Sequence, residues 1–161
     1  YVSGAKISSQ KRYSEKIDFI IRFSNLNEEN YKYYGMIDNV PSFLAGANIF
    51  VCSSVNEGGP MTVWEAMSMG KAVVTTDVGC VRQYIKNGIS GFIVPVADTK
   101  ALANRVMELV KNPDLTESMG KAARKVAINK LDVNIAAKNY ADSRACVCVV
   151  CVNFTICTVP H

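Results

Sequence analysis

Apolar and polar positions along this chain fall into blocks whose period switches between strand-like and helix-like. Asn48-Ile-Phe-Val-Cys52 and Ala72-Val-Val-Thr-Thr76 are short, nearly unbroken apolar runs, the pattern of strands covered on both faces. Phe92-Ile-Val-Pro-Val96 is a third run, and its internal proline suits an edge position. Tyr1 to Gly4 reads as a strand end entering a glycine turn, and Tyr31 to Tyr34 as a short aromatic strand closed by Gly35.

The blocks between these runs carry helical spacing. Ser14 to Ser24 places apolar residues at 17, 20 and 21, one helix face. Val40 to Ala47 predicts a short helix with Pro41 in its first turn, and Pro60 to Met69 another, stopped by Gly70. Val81 to Lys86 is helical up to the turn pair Asn87-Gly88. Asp98 is a natural N-cap for a helix to Lys111 with Leu102, Val106, Leu109 and Val110 on one face. Asn112-Pro113 breaks that run, and Leu115, Met119, Ala122, Ala123 and Val126 mark a further helix, with Asp132 capping the last one. Strands alternating with helices at this spacing predict right-handed crossovers and an α/β fold with a parallel sheet of four or five strands. Ligands bind beyond the carboxyl ends of such strands. Loops 35–39, 53–60, 77–80 and 95–98 are therefore expected at the functional edge.

Composition changes this picture little. A chain of 161 residues, 49% apolar and 20% charged, is an ordinary globular domain. The net charge of +4 is spread out, and its densest points, Lys11-Arg12 and Lys121 with Arg124-Lys125, have no interleaved aromatics, which argues against a nucleic-acid surface. No apolar run approaches the ~20 residues needed to span a bilayer. The chain opens on Tyr1 with no initiator methionine or leader, as a segment starting inside a longer protein would. Cys52 and Cys80 stand apart in the body, which fits a reducing cytosol and a cytoplasmic location. Cys146, Cys148, Cys151 and Cys157 crowd a Val/Cys-rich tail over 146–161, whereas the domain is read over 1–145. The tail spacing lacks the two separated C-x2-C knuckles of a zinc site. No metal ligand is assigned there.

The chemistry concentrates in Glu57-Gly-Gly-Pro-Met-Thr-Val-Trp-Glu65. Two carboxylates flank a glycine-proline turn that opens a helix directly after a strand. Amides at a helix start attract phosphate, since they have no intrahelical partner and the dipole is positive there. Carboxylates are poor phosphate ligands but good acceptors for sugar hydroxyls. Together these features point to a nucleotide-sugar pocket. Taken alone, two glutamates in an amphipathic helix are most often surface residues, and Gly58-Gly59-Pro60 is only a turn. Trp64, Met67 and Met69 read as core, Cys52 as a small buried hydrophobe, and Lys71 as exposed. His161, the single histidine, sits at the chain end, where it is a poor catalyst.

From Gly35 to about Val126 the chain resembles the C-terminal, donor-binding domain of retaining GT-B glycosyltransferases of family 4, the glycosyl transferases group 1. The resemblance rests on an ordered series. It runs through Gly35-Met36-Ile37, Ala47-Asn-Ile-Phe-Val-Cys-Ser-Ser54, Glu57-Gly-Gly-Pro, Glu65-Ala-Met and Gly70-Lys-Ala-Val-Val. It continues through Asp77-Val-Gly79, Asn87-Gly88, Gly91-Phe-Ile-Val-Pro and Asp98. It implies a Rossmann-like parallel sheet with helices on both faces. By motif match, Glu57 takes the catalytic position that accepts hydrogen bonds from the donor sugar, and Glu65 accepts them from the ribose. Gly58, Gly59, Pro60, Met61 and Thr62 then edge the pyrophosphate, and backbone near Met36 and Ile37 edges the base. The family needs no metal or other cofactor. Its partners would be a nucleotide-sugar donor, a saccharide or lipid acceptor, and an N-terminal GT-B domain through which the enzyme touches a membrane surface.

The chain departs from the family pattern in three places. Gln83 stands where a glutamate is common. Val2-Ser3-Gly4 resembles the second-strand region of the domain, so the first strand and helix, with their arginine and lysine, are expected to be missing. Arg144-Ala-Cys-Val-Cys-Val-Val-Cys-Val does not resemble the family's last helix. An inactive truncated remnant and a docking subunit that needs a separate N-terminal domain are the alternative readings.

Overall fold

A computed structural model describes residues 15–16, 19–20, 31–132 and 135. The chain divides into two compact units, Tyr1–Phe43 and Leu44–His161. The predicted strand over 1–4, most of the helix over 14–24 and the tail over 146–161 lie outside the described residues, although 15–16 and 19–20 are helical.

In the first unit, the aromatic strand expected over 31–34 is not formed. Tyr33 makes a single isolated bridge, and Lys32, Tyr33 and Tyr34 are all exposed. Aromatic content raises strand propensity only where a pleated surface buries it. Here Tyr34 instead stands edge-on to Phe43 at 5.3 Å and under the Lys32 ammonium at 5.0 Å. Helix α1, Val40–Ala45, begins in this unit, ends two residues short of the expected Ala47, and is capped by Asn39, whose Oδ1 accepts from the Ser42 amide at 3.0 Å.

In the second unit, strands β1 (Ile49–Cys52), β2 (Ala72–Thr76) and β3 (Phe92–Val94) form a parallel sheet in that order. Ile49 pairs with Ala72 and Cys52 with Thr75, while Val74 pairs with Phe92 and Thr76 with Val94. The described sheet thus has three strands rather than four or five. β3 stops at Val94, short of the predicted Val96, because Pro95 has no N–H to continue the ladder. Helices α2 (Met61–Ser68) and α3 (Val81–Tyr84) are the two crossovers. Right-handed connections between parallel neighbours place both on one face. Helices α4 (Thr99–Lys111) and α5 (Pro113–Val126) follow, and α5 ends in a wider turn over Ala127–Leu131.

Val73, Val74 and Thr75 are all fully buried, so both faces of β2 are covered. On one face Ala72, Val74, Phe92, Leu109 and Met119 form a cluster, with Ile49, Leu102, Val106 and Leu115 packed against it. Each fully buried Leu, Val or Met contributes roughly 1.5–3 kcal/mol. Val110, expected on the inner face of α4, is exposed, because the helix is anchored by Leu109. Asp98 caps α4 through the Ala101 amide at 2.9 Å, and Asn112 caps α5 through the Leu115 amide at 3.1 Å. Asp132 has extended backbone, and the helix it was expected to cap lies outside the described residues apart from helical Ile135. A Cβ on Gly120 would lie 2.2 Å from the Gly70 carbonyl oxygen. Only glycine lets α5 approach the turn before β2 this closely. Among the described residues no helix is long and apolar enough to cross a membrane.

Candidate functional site

All three strands run the same way, so loops 53–60, 77–80 and 95–98 gather at their carboxyl ends as expected. Loop 35–39 belongs to the first unit, where Met36 is exposed and Ile37 half-buried.

Glu57 sits in the loop between β1 and α2, half-buried. Its Oε1 accepts a hydrogen bond from Ser54 Oγ at 2.7 Å, and Ser54 Oγ in turn accepts a long contact from Cys52 Sγ at 3.6 Å. Thr76, the last residue of β2, is buried and donates its hydroxyl to the Ser54 carbonyl at 2.6 Å, with the Cys52 carbonyl at 3.4 Å as the longer alternative. The 77–80 loop supports Glu57 from the other side. Gly79 has φ +53°, and a Cβ there would lie 2.7 Å from both the Glu57 and Gly58 carbonyl oxygens. Asp77 at the start of this loop holds Arg82 through a two-pronged contact, Nε to Oδ1 at 2.7 Å and Nη2 to Oδ2 at 2.6 Å. Hydrogen bonding from Arg82, helped by its charge, outweighs desolvation and holds the Asp77 carboxyl below its ordinary range.

Gly58 and Gly59 are exposed, with open space where a side chain would project. Pro60 is buried and occupies the N-cap position of α2, without a side-chain cap; the Val63 amide bonds its carbonyl at 2.9 Å. The amides of Met61 and Thr62 therefore stand at a helix start with no intrahelical acceptor. One side of α2 buries Val63, Trp64, Ala66 and Met67. The opposite stripe, Thr62, Glu65 and Ser68, is exposed. Thr62 and Glu65 share a face at the i, i+3 spacing, and Glu65 lies about 6 Å further along the axis than Met61.

Trp64 is buried and packs edge-on against Tyr84 at 5.1 Å, while Met69 is half-buried. Cys52 is buried as expected. Lys71 is half-buried rather than exposed, because its Nζ donates to the Ala45 carbonyl at 3.0 Å. Gln83 is exposed. Nothing in the sequence pattern marks Ser54 or Thr76 as functional, although Ser54 closes the strand run that carries the resemblance. Among the described residues no three His, Cys, Asp or Glu side chains converge as metal ligands. A cavity of about 600 Å³ lies at the opposite, amino-terminal edge of the sheet, between Asn48, Lys71, Val110 and Thr116.

The profile of the glycosyl transferases group 1 family matches residues 8–126. The chain belongs to that family. Among curated relatives, the putative glycosyltransferase EpsD of Bacillus subtilis is 31% identical over 96 residues, 60% of this chain and 25% of EpsD. The N,N'-diacetylbacillosaminyl-diphospho-undecaprenol alpha-1,3-N-acetylgalactosaminyltransferase of Campylobacter jejuni is 33% identical over 116 residues. That match covers 71% of this chain and 30% of the Campylobacter protein. The chain thus spans less than a third of either relative. Among solved structures, Anabaena Alr3699/HepE in complex with UDP superposes with a TM-score of 0.81 at 22% identity, covering 87% of this chain and 38% of that one. The C-terminal domain of the group 1 protein LpcC from Francisella tularensis gives 0.73 at 19% identity, covering 79% and 66%. The fold is therefore that of a GT-B Rossmann-like C-terminal domain.

Proposed function

We propose that this chain is the nucleotide-sugar-binding lobe of a retaining glycosyltransferase that moves a sugar to a saccharide or lipid acceptor. The observation that carries this reading is Glu57, held at the carboxyl edge of the sheet immediately before the open Gly58-Gly59 turn and the uncapped start of α2. The fold match to HepE, solved with UDP and with UDP-glucose, supports the choice of ligand class.

In this reading the pyrophosphate lies against the amides of Gly59, Met61 and Thr62, where the helix start offers donors and positive potential. Glu57 accepts from a hydroxyl of the donor sugar, and Glu65, one turn further along the exposed stripe, accepts from the ribose. In a retaining transfer the leaving phosphate departs from the face that the acceptor attacks, so stabilising its charge is the main demand on this lobe. In this lobe the amides at the start of α2 meet part of that demand without a metal ion.

Glu65→Ala is expected to weaken binding of a free nucleoside diphosphate, whereas Glu57→Ala weakens only the matching nucleotide-sugar. A hydrogen bond to a charged group contributes roughly 1.5–3 kcal/mol, so about tenfold to a hundredfold in affinity is at stake. Calorimetry with UDP and UDP-glucose, and with GDP and GDP-mannose, separates the two roles. Equal losses for both variants against the free diphosphate would defeat the assignment.

A further inference from the structure

We propose that Ser54 is a positioning residue that sets which hydroxyl of the donor sugar Glu57 receives. The inference rests on the reading of Glu57 as the sugar-facing carboxylate. It adds a specificity device that the Glu57–Glu65 pair does not contain.

A serine hydroxyl has one proton to donate. That proton is committed to Glu57 Oε1 at 2.7 Å, within the range of a strong O–H···O⁻ bond. The Cys52 thiol meets the Ser54 oxygen at 3.6 Å from the strand side, which favours this orientation of the hydroxyl, and the backbone from which the hydroxyl swings is itself pinned. The Thr76 hydroxyl, buried at the end of β2, donates to the Ser54 carbonyl at 2.6 Å. The carboxylate of Glu57 is thereby tied through two consecutive hydrogen bonds to a fully buried strand. From below, Gly79 packs so closely on the Glu57 and Gly58 carbonyls that their backbone is wedged in place. With backbone and Oε1 both held, Oε2 is the oxygen left to meet a ligand, and its direction is fixed before the ligand arrives.

A fixed acceptor discriminates between epimers. A hydroxyl of the right configuration meets Oε2, while its epimer leaves that oxygen desolvated without a donor, which costs more than an unmade bond in water. A glutamate with free rotamers can follow either configuration. It pays side-chain entropy on binding, gains less affinity for the right sugar, and rejects the wrong one less well. Ser54 therefore contributes to the sugar increment of affinity and to stereochemical preference, without touching the donor itself.

The test measures, by calorimetry on the 161-residue chain, the affinity ratio of UDP-glucose to UDP and of UDP-glucose to its epimer UDP-galactose. GDP-mannose, GDP and GDP-glucose form the parallel set. The wild type is compared with Ser54→Ala, Ser54→Thr and Glu57→Ala. In Ser54→Ala the sugar-to-diphosphate ratio is expected to fall about threefold to tenfold and the epimer preference to shrink towards one. Ser54→Thr keeps the hydroxyl and restores both ratios to within about twofold, which a loss of general loop order would not allow. If Glu57→Ala lowers the ratios and Ser54→Ala leaves them at wild-type values, the positioning role is wrong while the reading of Glu57 stands. Unchanged ratios in Glu57→Ala, or no binding of any probe by the wild type, overturn that reading and this inference with it.

Discussion

Gly79→Val is expected to lower nucleotide-sugar affinity by tenfold or more, the largest loss from any single change away from the two glutamates. Residue 79 has φ +53°, a left-handed conformation that costs an L-residue roughly 1–2 kcal/mol and is worse for a β-branched one. Strain alone would reduce stability without touching the site. The steric term decides the outcome: the new Cβ would lie 2.7 Å from the carbonyl oxygens of Glu57 and Gly58. These are backbone atoms and cannot turn aside, so the 57–59 loop or the 77–80 loop must move. The Thr76–Ser54 bond holds the 53–57 segment at its start, and displacement therefore falls on Glu57, Gly58 and the amides that follow. Gly79→Ala should show a smaller loss in the same direction. Thermal melting separates the stability cost from the binding cost. Wild-type affinity in a folded Gly79→Val protein would show that the contact between the two loops does not shape the pocket.

The second large effect is catalytic. This 161-residue chain, incubated by itself with radiolabelled nucleotide-sugars and a panel of saccharide and lipid acceptors, is expected to transfer no sugar. It spans 25% of EpsD and 38% of HepE, and in the proposed function the acceptor is held by a second lobe. Holding two reactants in attacking geometry supplies roughly 7–11 kcal/mol of a barrier, and a single lobe forgoes that contribution. The helix start at Met61 supplies at most about 1 kcal/mol towards an anion when it is solvent-exposed, and Glu57 and Glu65 add negative charge beside it. Robust turnover by this chain with no added partner would show that one lobe suffices.

Much of the architecture was legible from local chemistry. Asp98 announces its helix because a cap is a contact over three residues, and Asn112-Pro113 marks the break before α5, since proline fits the first turn of a helix but not the interior of one. The buried face of α2 follows from the spacing of Val63, Trp64, Ala66 and Met67. β2 was recognisable because a strand covered on both sides needs unbroken apolar residues; β1 carries the same kind of run but is only partly covered, with Val51 exposed and Cys52 alone buried. Tyr31–Tyr34 misled for the converse reason: its aromatic run looks like a strand, but Lys32, Tyr33 and Tyr34 are exposed.

The candidate site was legible as a motif but not as a mechanism of support. The Glu57-Gly-Gly-Pro turn and Glu65 stand out in the sequence, and the helix start and exposed stripe lie where the turn places them. The bond from Thr76 to the Ser54 carbonyl links residues 22 apart. Hydroxyl side chains at strand ends carry no periodic signal that could reveal such a pairing. Gly79 reads as an ordinary loop glycine until the approach of the Glu57 carbonyl is known. The contact of Lys71 with Ala45 is likewise long-range, spanning 26 residues.

The account stands on the donor occupying the carboxyl edge of the sheet, and amide chemical-shift mapping during titration with UDP-glucose or GDP-mannose tests that most directly. The predicted result is saturating shifts at Gly58, Gly59, Met61 and Thr62, with smaller ones at Gly79, and little change at the amino-terminal edge. Shifts centred on Asn48, Lys71 and Thr116, with Gly58 to Thr62 unmoved, would place the ligand in the cavity at the wrong end of the strands and contradict the account.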